Sequence, residues 1–271
     1  MLDWGLVFNS MSRLLLAGGD SKTTFGWFFH LWVLLKRSIS RNKNMLKLYY
    51  HPSPNPAKVA LYLEETNTPY EIVVTDTRKG DQHKPEFRAI NPNGKTPALV
   101  DGDIKVFDSN AIMLYLGEKI GKFMPANTPK AHAELYSWLM FVATGIGPYC
   151  GQAVHFKHFA PEPKEYAVNR YDFEAWRHWL LIEERLSKQP YMLSEYSIVD
   201  MSVWGWARVI PFVLGEGAWE KLPSVKRLLD EINAKPSAQA VEAIKAKYTF
   251  KTEVDDESRK NLFPSNERLK K

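Results

Sequence analysis

The chain has 271 residues, 45% hydrophobic and 25% charged, enough to bury the cores of two ordinary domains and a composition that excludes a disordered or membrane-embedded protein. Its formal charge of +5 is no nucleic-acid footprint: residues 1–44 carry Arg13, Lys22, Lys36, Arg37, Arg41 and Lys43 against Asp3 and Asp20, a net of +4, so the remaining chain is close to neutral and no basic groove is expected on it. The single cysteine, Cys150, excludes an internal disulfide or a self-contained dithiol site, so any thiol chemistry must use a thiol from another molecule.

The leader, residues 1–44, holds the apolar run Phe25 to Leu35 with His30 inside it. That run is short of the roughly 20 residues a membrane span needs. Lys36 and Arg37 follow it where a signal-peptide cleavage site would need small residues. With Lys36, Arg37, Arg41 and Lys43 behind it, the segment could touch a membrane surface. The preferred reading is a poorly ordered extension ahead of Met45, which would itself serve as a start.

From Met45 the elements follow in order. Leu46 to Tyr50 reads as a short apolar strand, broken by the loop His51-Pro52-Ser53-Pro54-Asn55-Pro56. A helix is expected over Lys58 to Thr66, a strand over Tyr70 to Thr75, a short helix over Glu86 to Ile90, and two strands, Pro97 to Val100 and Lys105 to Phe107, around Asp101-Gly102-Asp103. A third helix spans Asn110 to Ile120, and Asn127-Thr128-Pro129 reads as a linker. The order β-α-β-α-β-β-α over 45–126 is what a thioredoxin-like domain requires, and by itself it also fits other small α/β folds.

Beyond Lys130 the periodicity is helical throughout, with helices over Ala131 to Val142, Tyr166 to Leu186 and Ile198 to Val209, giving an all-helical domain over 131–250. Ser197-Ile198-Val199-Asp200 has the form of a capping box and is assigned to folding. Residues 251–271 carry many charges and few apolar positions, and read as a solvated, charged tail.

Two segments stand out chemically. In Asn91-Pro92-Asn93-Gly94-Lys95-Thr96-Pro97, a cis bond before Pro97 would leave the backbone of Thr96 free to pair with a peptide as an added strand. In Phe107-Asp108-Ser109-Asn110, a carboxylate and a hydroxyl at a helix N-terminus can hold an amino group and a carboxylate together. A plain turn and a plain helix cap explain both segments equally well from local sequence. The first loop adds Ser53 and Asn55, each able to donate a hydrogen bond to a thiolate near a helix N-terminus, or merely to cap it. His155, His158 and Cys150 are too few and too irregular for a zinc site, so no metal is expected, and Cys150 reads as a buried apolar residue.

These segments resemble the glutathione site of glutathione transferases. The resemblance extends to Lys79, Gly80, Gln82, Pro85, Glu86 and Phe87, to Gly147, Pro148, Gly151, Gln152 and Phe156, and to Tyr166, Arg170 and Tyr171, which look like the Nu class, bacterial glutathione-dependent disulfide-bond oxidoreductases. It covers residues 45 to 245 and implies a fold of an N-terminal thioredoxin-like domain followed by an all-helical glutathione transferase domain. It further implies catalytic Ser53 and Asn55, glutathione held by Gln82, Thr96, Pro97, Asp108, Ser109 and Arg170, and a second-substrate pocket at Tyr149, Gln152 and Phe156. The expected protein is a cytoplasmic homodimer that uses glutathione as cosubstrate and no metal, and reduces disulfides. Conjugation of glutathione to electrophiles, and a non-catalytic binding or regulatory protein of the same fold, are the alternatives. Ser53 stands where that class has Thr, Pro56 where it has Gly, and Asp108 where it has Glu.

Overall fold

The structure, a computed structural model, describes residues 45–270; the poorly ordered extension and the membrane contact read from residues 1–44 lie outside the described residues. Strand β1 (Leu46–Tyr50) alternates buried Leu46, Leu48 and Tyr50 with outward Lys47. It pairs in parallel with β2 (Tyr70–Val74), Leu48 opposite Ile72, and antiparallel with β3 (Ala98–Asp101), Leu48 opposite Leu99. Strand β4 (Ile104–Phe107) closes the edge of a sheet ordered β2-β1-β3-β4. Helices α1 (Pro54–Glu65), α2 (Pro85–Arg88) and α3 (Ser109–Ile120) complete the thioredoxin-like arrangement the resemblance implies.

Helix α1 starts four residues before Lys58, where the spacing places its beginning. Pro54 and Pro56 both fall in its first turn, where an N–H has no intrahelical partner and its loss costs nothing.

The second half is helical throughout: α4 (Pro129–Phe141), α5 (Gly147–Val154), α6 (Glu165–Lys188), α7 (Ile198–Ala207), α8 (Ile210–Leu214), α9 (Pro223–Asn233) and α10 (Pro236–Lys247). Thr128 and Pro129, read as a linker, are the N-cap and first residue of α4: Thr128 Oγ1 accepts from Ala131 N–H at 3.2 Å. Two single π-helical turns, Val142–Ile146 and His155–Phe159, flank α5 and carry one helical path past Gly145, Gly147 and Pro148. Such turns recur at functional sites.

The charged segment after residue 250, read as a solvated tail, is folded. It forms α11 (Asp256–Leu262) and a final 3-10 segment, Pro264–Lys270. Lys251 N–H donates to Asp76 Oδ2 at 2.7 Å, and Arg78 Nη1 donates to the carbonyls of Lys251 (2.9 Å) and Thr252 (2.8 Å). The Phe263 ring packs on His155 and Phe159, at 4.6 and 5.3 Å between centroids. Composition reports charge but not partners, and these partners lie far upstream.

The two halves share one hydrophobic core. Buried polar groups fix their register: Asn110 on α3 donates to Leu139 O at 3.2 Å and accepts from Ser202 Oγ on α7 at 2.7 Å. The capping box of α7 forms as its spacing requires. Asp200, fully buried, accepts from Ser197 N–H (2.9 Å), Ser197 Oγ (3.0 Å) and Met192 N–H (2.7 Å). Burial pushes its carboxyl up to about 6 against the pull of those donors. Asp200→Ala strands two buried N–H groups and removes the cap, so urea unfolding should show a loss of about 3 kcal/mol. Asp200→Asn, which keeps one acceptor oxygen, should cost less.

Candidate functional site

The loop between β1 and α1 opens onto a cleft of about 710 Å³. It is lined by Tyr50, Pro52, Ser53 and Pro54, by Gly151 and Val154 of α5 with Trp206, Val209 and Phe212, and by residues of α9 and α10. Ser53 is the N-cap residue of α1, yet its hydroxyl makes no cap bond and donates instead to His51 O at 3.3 Å. Within the first turn, Pro54 and Pro56 have no N–H and Ala57 N–H bonds Ser53 O at 3.3 Å. Asn55 therefore holds the unclaimed backbone donor at the positive end of the helix.

The Asn55 side chain is oriented by the other half of the protein. Trp206 Nε1 donates to Asn55 Oδ1 at 3.1 Å. Because an indole nitrogen can only donate, the amide oxygen must face Trp206, and the amide NH2 is left for another acceptor.

Trp206 reaches Asn55 because its neighbour Gly205 has no side chain: a Cβ there would lie 2.5 Å from Lys58 Cγ and 2.7 Å from Pro54 O. That close approach also buries Lys58, one turn beyond Asn55 and only 1% exposed. Burial pulls its amine down to about 7, against the raising effect of the Asp108 carboxylate.

Asp108 and Ser109 lie at the other border of the sheet. Asp108 is exposed and caps α3, its Oδ1 accepting from Asn110 N–H (2.9 Å) and Ala111 N–H (3.2 Å). It does so at φ 71°, a left-handed conformation that costs an ordinary residue about 1–3 kcal/mol and is found where a site requires it. Ser109, the first residue of α3, is 4% exposed. The Thr96-Pro97 bond is cis, and Thr96 lies just before the ladder, whose first pairs on β3 are Ala98 with Tyr49 and with Phe107.

Gln82 is buried in the loop after β2. Its Nε2 donates to Thr77 O (3.1 Å) and to Asn261 O of the C-terminal segment (2.9 Å), while its Oε1 is a buried acceptor with no donor.

Other expected residues fall elsewhere. Tyr149, Gln152 and Phe156 form the opposite stripe of the α5 path from Gly151 and Val154. Tyr149 packs on His178 (4.8 Å) and Tyr171 (6.4 Å), Phe156 stacks on Tyr171 (5.4 Å), and Gln152 is exposed. They do not line the cleft beside Ser53, because helical phase turns 151 and 154 toward Trp206 and 149, 152 and 156 away. Arg170, half exposed on α6, pairs with Glu174 Oε1 at 3.0 Å.

Cys150 is fully buried, accepts from Trp179 Nε1 at 3.3 Å, and has its thiol pushed up to about 12 by burial. Almost none of it is thiolate at neutral pH, so it is no nucleophile. His155 packs on Phe263 and His158 on Phe212 (4.2 Å); among the described residues no cluster of three or more His, Cys, Asp or Glu could hold a metal ion. Lys58, Gly205 and Trp206 went unnoticed in the sequence. Only the basic residue inside an apolar helix face was a readable signal.

The buried amine has a testable consequence. The unfolded chain takes up the Lys58 proton near 10.5 and the folded chain only near 7, so wild type loses stability from this group as the pH falls from 10.5 to 7, at about 1.4 kcal/mol per unit. Lys58→Met removes that loss. In thermal unfolding its stability advantage over wild type should grow from pH 10 to pH 7 and level off below; an advantage independent of pH would show that the amine is solvated in the folded protein.

Comparison with known proteins agrees with this geometry. The model of the glutathione S-transferase N-terminal domain matches residues 44–118. The disulfide-bond oxidoreductase YfcG of Escherichia coli is 36% identical over 208 residues, covering 71% of this chain and 92% of that protein. A Pseudomonas putida glutathione transferase, solved with one glutathione disulfide bound per subunit, superposes with a TM-score of 0.70 at 30% identity over 74% of this chain and 92% of its own. One from Phanerochaete chrysosporium with oxidised glutathione gives 0.70 at 32% identity over 75% and 96%. With these features and this extent of likeness, the chain belongs to the glutathione S-transferase family.

Proposed function

We propose that the protein is a glutathione-dependent disulfide reductase. The observation that carries this reading is the Trp206–Asn55 hydrogen bond, which turns the Asn55 amide so that its NH2 remains a donor beside the N-terminus of α1. A glutathione sulfur placed there meets the amide, the Asn55 N–H, the Ser53 hydroxyl and the helix dipole. Each of these favours the thiolate over a thiol whose unperturbed pKa is about 8.5.

The glutathione peptide is held across the sheet edge. Thr96 and Gln82 hold its backbone, and Asp108 with Ser109 takes the γ-glutamyl amino and carboxylate groups. Arg170 offers a guanidinium to a glycine carboxylate. Tyr149, Gln152 and Phe156 lie outside the cleft walls, so the second substrate meets Gly151, Val154, Trp206 and Phe212 in their place.

Chemically, the glutathione thiolate attacks one sulfur of the substrate disulfide. A bond forms between glutathione and that sulfur, and the other half leaves as a thiolate that takes a proton from water. A second glutathione thiolate then attacks the glutathione sulfur of the mixed disulfide, releasing the substrate's second thiol and glutathione disulfide. Two electrons pass from two glutathiones to one disulfide, and the protein supplies placement and anion stabilisation without a covalent residue of its own.

In this reading residues 45–126 serve as the thioredoxin-like glutathione-binding domain and residues 131–250 as the helical domain. Tyr136 and Met140 on α4 and Phe173, Leu180 and Leu181 on α6 are exposed apolar residues that a second copy of the chain would cover, giving a homodimer. Light scattering should return twice the chain mass. A cytosolic location, where reduced glutathione is abundant, fits the reaction; among the described residues no helix is long and apolar enough to cross a membrane.

Glutathione-dependent reduction of hydroxyethyl disulfide, run beside conjugation of glutathione to chlorodinitrobenzene, tests the assignment. Wild type should show strong disulfide turnover and weak conjugation, and Asn55→Ala should lower disulfide turnover by about ten- to a hundredfold, as loss of one preorganised donor to a developing anion does. The reverse profile would make the protein a conjugating transferase. Glutathione binding without either activity would make it a non-catalytic member of the family.

A further inference from the structure

The cleft beside Ser53 carries charge that the reaction above does not use. Three of its lining side chains are ionic: Arg208, just past α7, and Glu242 and Lys245 on α10. The Arg208 side chain is 15% exposed, stacks 4.6 Å over the Trp204 ring and is hydrogen-bonded to Glu242 Oε1. Lys245 Nζ lies 3.3 Å from Glu242 Oε2.

Two cations thus share one carboxylate, and the cleft keeps an excess positive charge. Both are held below their ordinary proton affinity, chiefly by burial, and for Lys245 also by repulsion from Arg208 that Glu242 leaves uncancelled. Tyr50, which lines the same cleft within electrostatic reach of Arg208, adds a phenol that stays neutral because burial raises its pKa. The same cleft is also lined by the apolar side chains of Trp206, Val209 and Phe212.

We propose that Arg208 and Lys245 form an anion-binding subsite of the second-substrate cleft, which selects disulfides whose leaving arm carries a carboxylate. The inference rests on the disulfide-reductase reading and names its substrate class. A guanidinium fixed on an indole face presents a planar fork that matches a carboxylate, and it needs little further ordering to do so. Glu242, about half exposed at the rim, holds the two cations in place while the cleft is empty. An incoming carboxylate takes up the charge Glu242 does not balance. The apolar lining takes a short methylene arm between the cations and the disulfide. A volume of about 710 Å³ accommodates such a molecule beside the glutathione sulfur.

Three symmetrical disulfides with the same two-carbon arm separate charge from shape: dithiodipropionate (anionic), hydroxyethyl disulfide (neutral) and cystamine (cationic). In wild type, kcat/KM should fall in that order. Lys245→Met and Arg208→Gln should each lower the ratio of kcat/KM for dithiodipropionate over hydroxyethyl disulfide by about tenfold, the effect of losing one charge-assisted contact, with the change in KM. Glu242→Gln, which frees both cations, should raise the ratio. Lys245 and Glu242 are exposed on α10, so their variants carry the test if Arg208→Gln does not fold. Equal kcat/KM for the anionic and neutral substrates, or ratios unmoved by all three variants, would reduce Arg208 to a structural ion pair and overturn the proposal. If wild type reduces none of the three, the reductase reading fails on its own. The subsite is then decided by calorimetric binding of dithiodipropionate to the glutathione-loaded protein: binding weakened by Lys245→Met upholds it, and no binding overturns it.

Discussion

The approach of α7 to the first turn of α1, closer than any side chain at position 205 would allow, is the contact from which the site is built. Gly205 puts the α7 backbone against Lys58 and Pro54 O. Trp206 can then hold Asn55 by its amide oxygen. One residue further along the same helix, Ala207 is buried, and Arg208 emerges in the cleft stacked on Trp204. Orientation of the Asn55 amide and charge in the cleft both descend from one helix, whose start is fixed by the buried Asp200. Ser202, on that helix too, locks α3 through Asn110, so α3 and the cleft are held by a single rigid element.

Electrostatics follow a division of labour. The one thiol of the chain is buried and its pKa pushed up to about 12, which removes it from chemistry and leaves the reacting sulfur to glutathione. The two prolines of the first turn delete N–H groups that would compete for an anion, leaving Asn55 to supply both a backbone and a side-chain donor. The neighbouring Lys58 amine, desolvated to about 7, adds a group near Asp108 whose charge is easily changed by its surroundings. Such a constellation stabilises a thiolate without storing a covalent intermediate on the protein.

Much of the glutathione edge was legible before any coordinates. The strand and helix order, the cis bond before Pro97, the cap at Asp108 and the capping box at Ser197 are local, and each depends on residues within a few positions of one another. The resemblance supplied their purpose. The tail was misread for the opposite reason: Lys251 and Asn261 find Asp76, Arg78 and Gln82 about 175 positions away, and a run of charges looks solvated whether or not such partners exist. The pocket residues expected on α5 lie off the cleft beside Ser53 by helical phase. Tyr149, Gln152 and Phe156 are the conspicuous side chains, whereas the cleft is bounded by the inconspicuous Gly151 and Val154.

By itself the sequence determined the element order from Met45 to Ile120, the capping box at Ser197 and the need for a borrowed thiol. These follow from periodicity, turn chemistry and a single cysteine, all acting over short stretches of chain; the resemblance singled out Ser53, Asn55, Thr96, Asp108 and Ser109. Only the tertiary structure decided which face of α5 meets the cleft, that Asn55 is held by Trp206 with its NH2 free, that Lys58 is buried, and that Arg208 and Lys245 share Glu242. Each of these is a contact between residues distant in the chain, set by how closely two helices pack, and packing distance depends on side-chain volumes that no local pattern encodes.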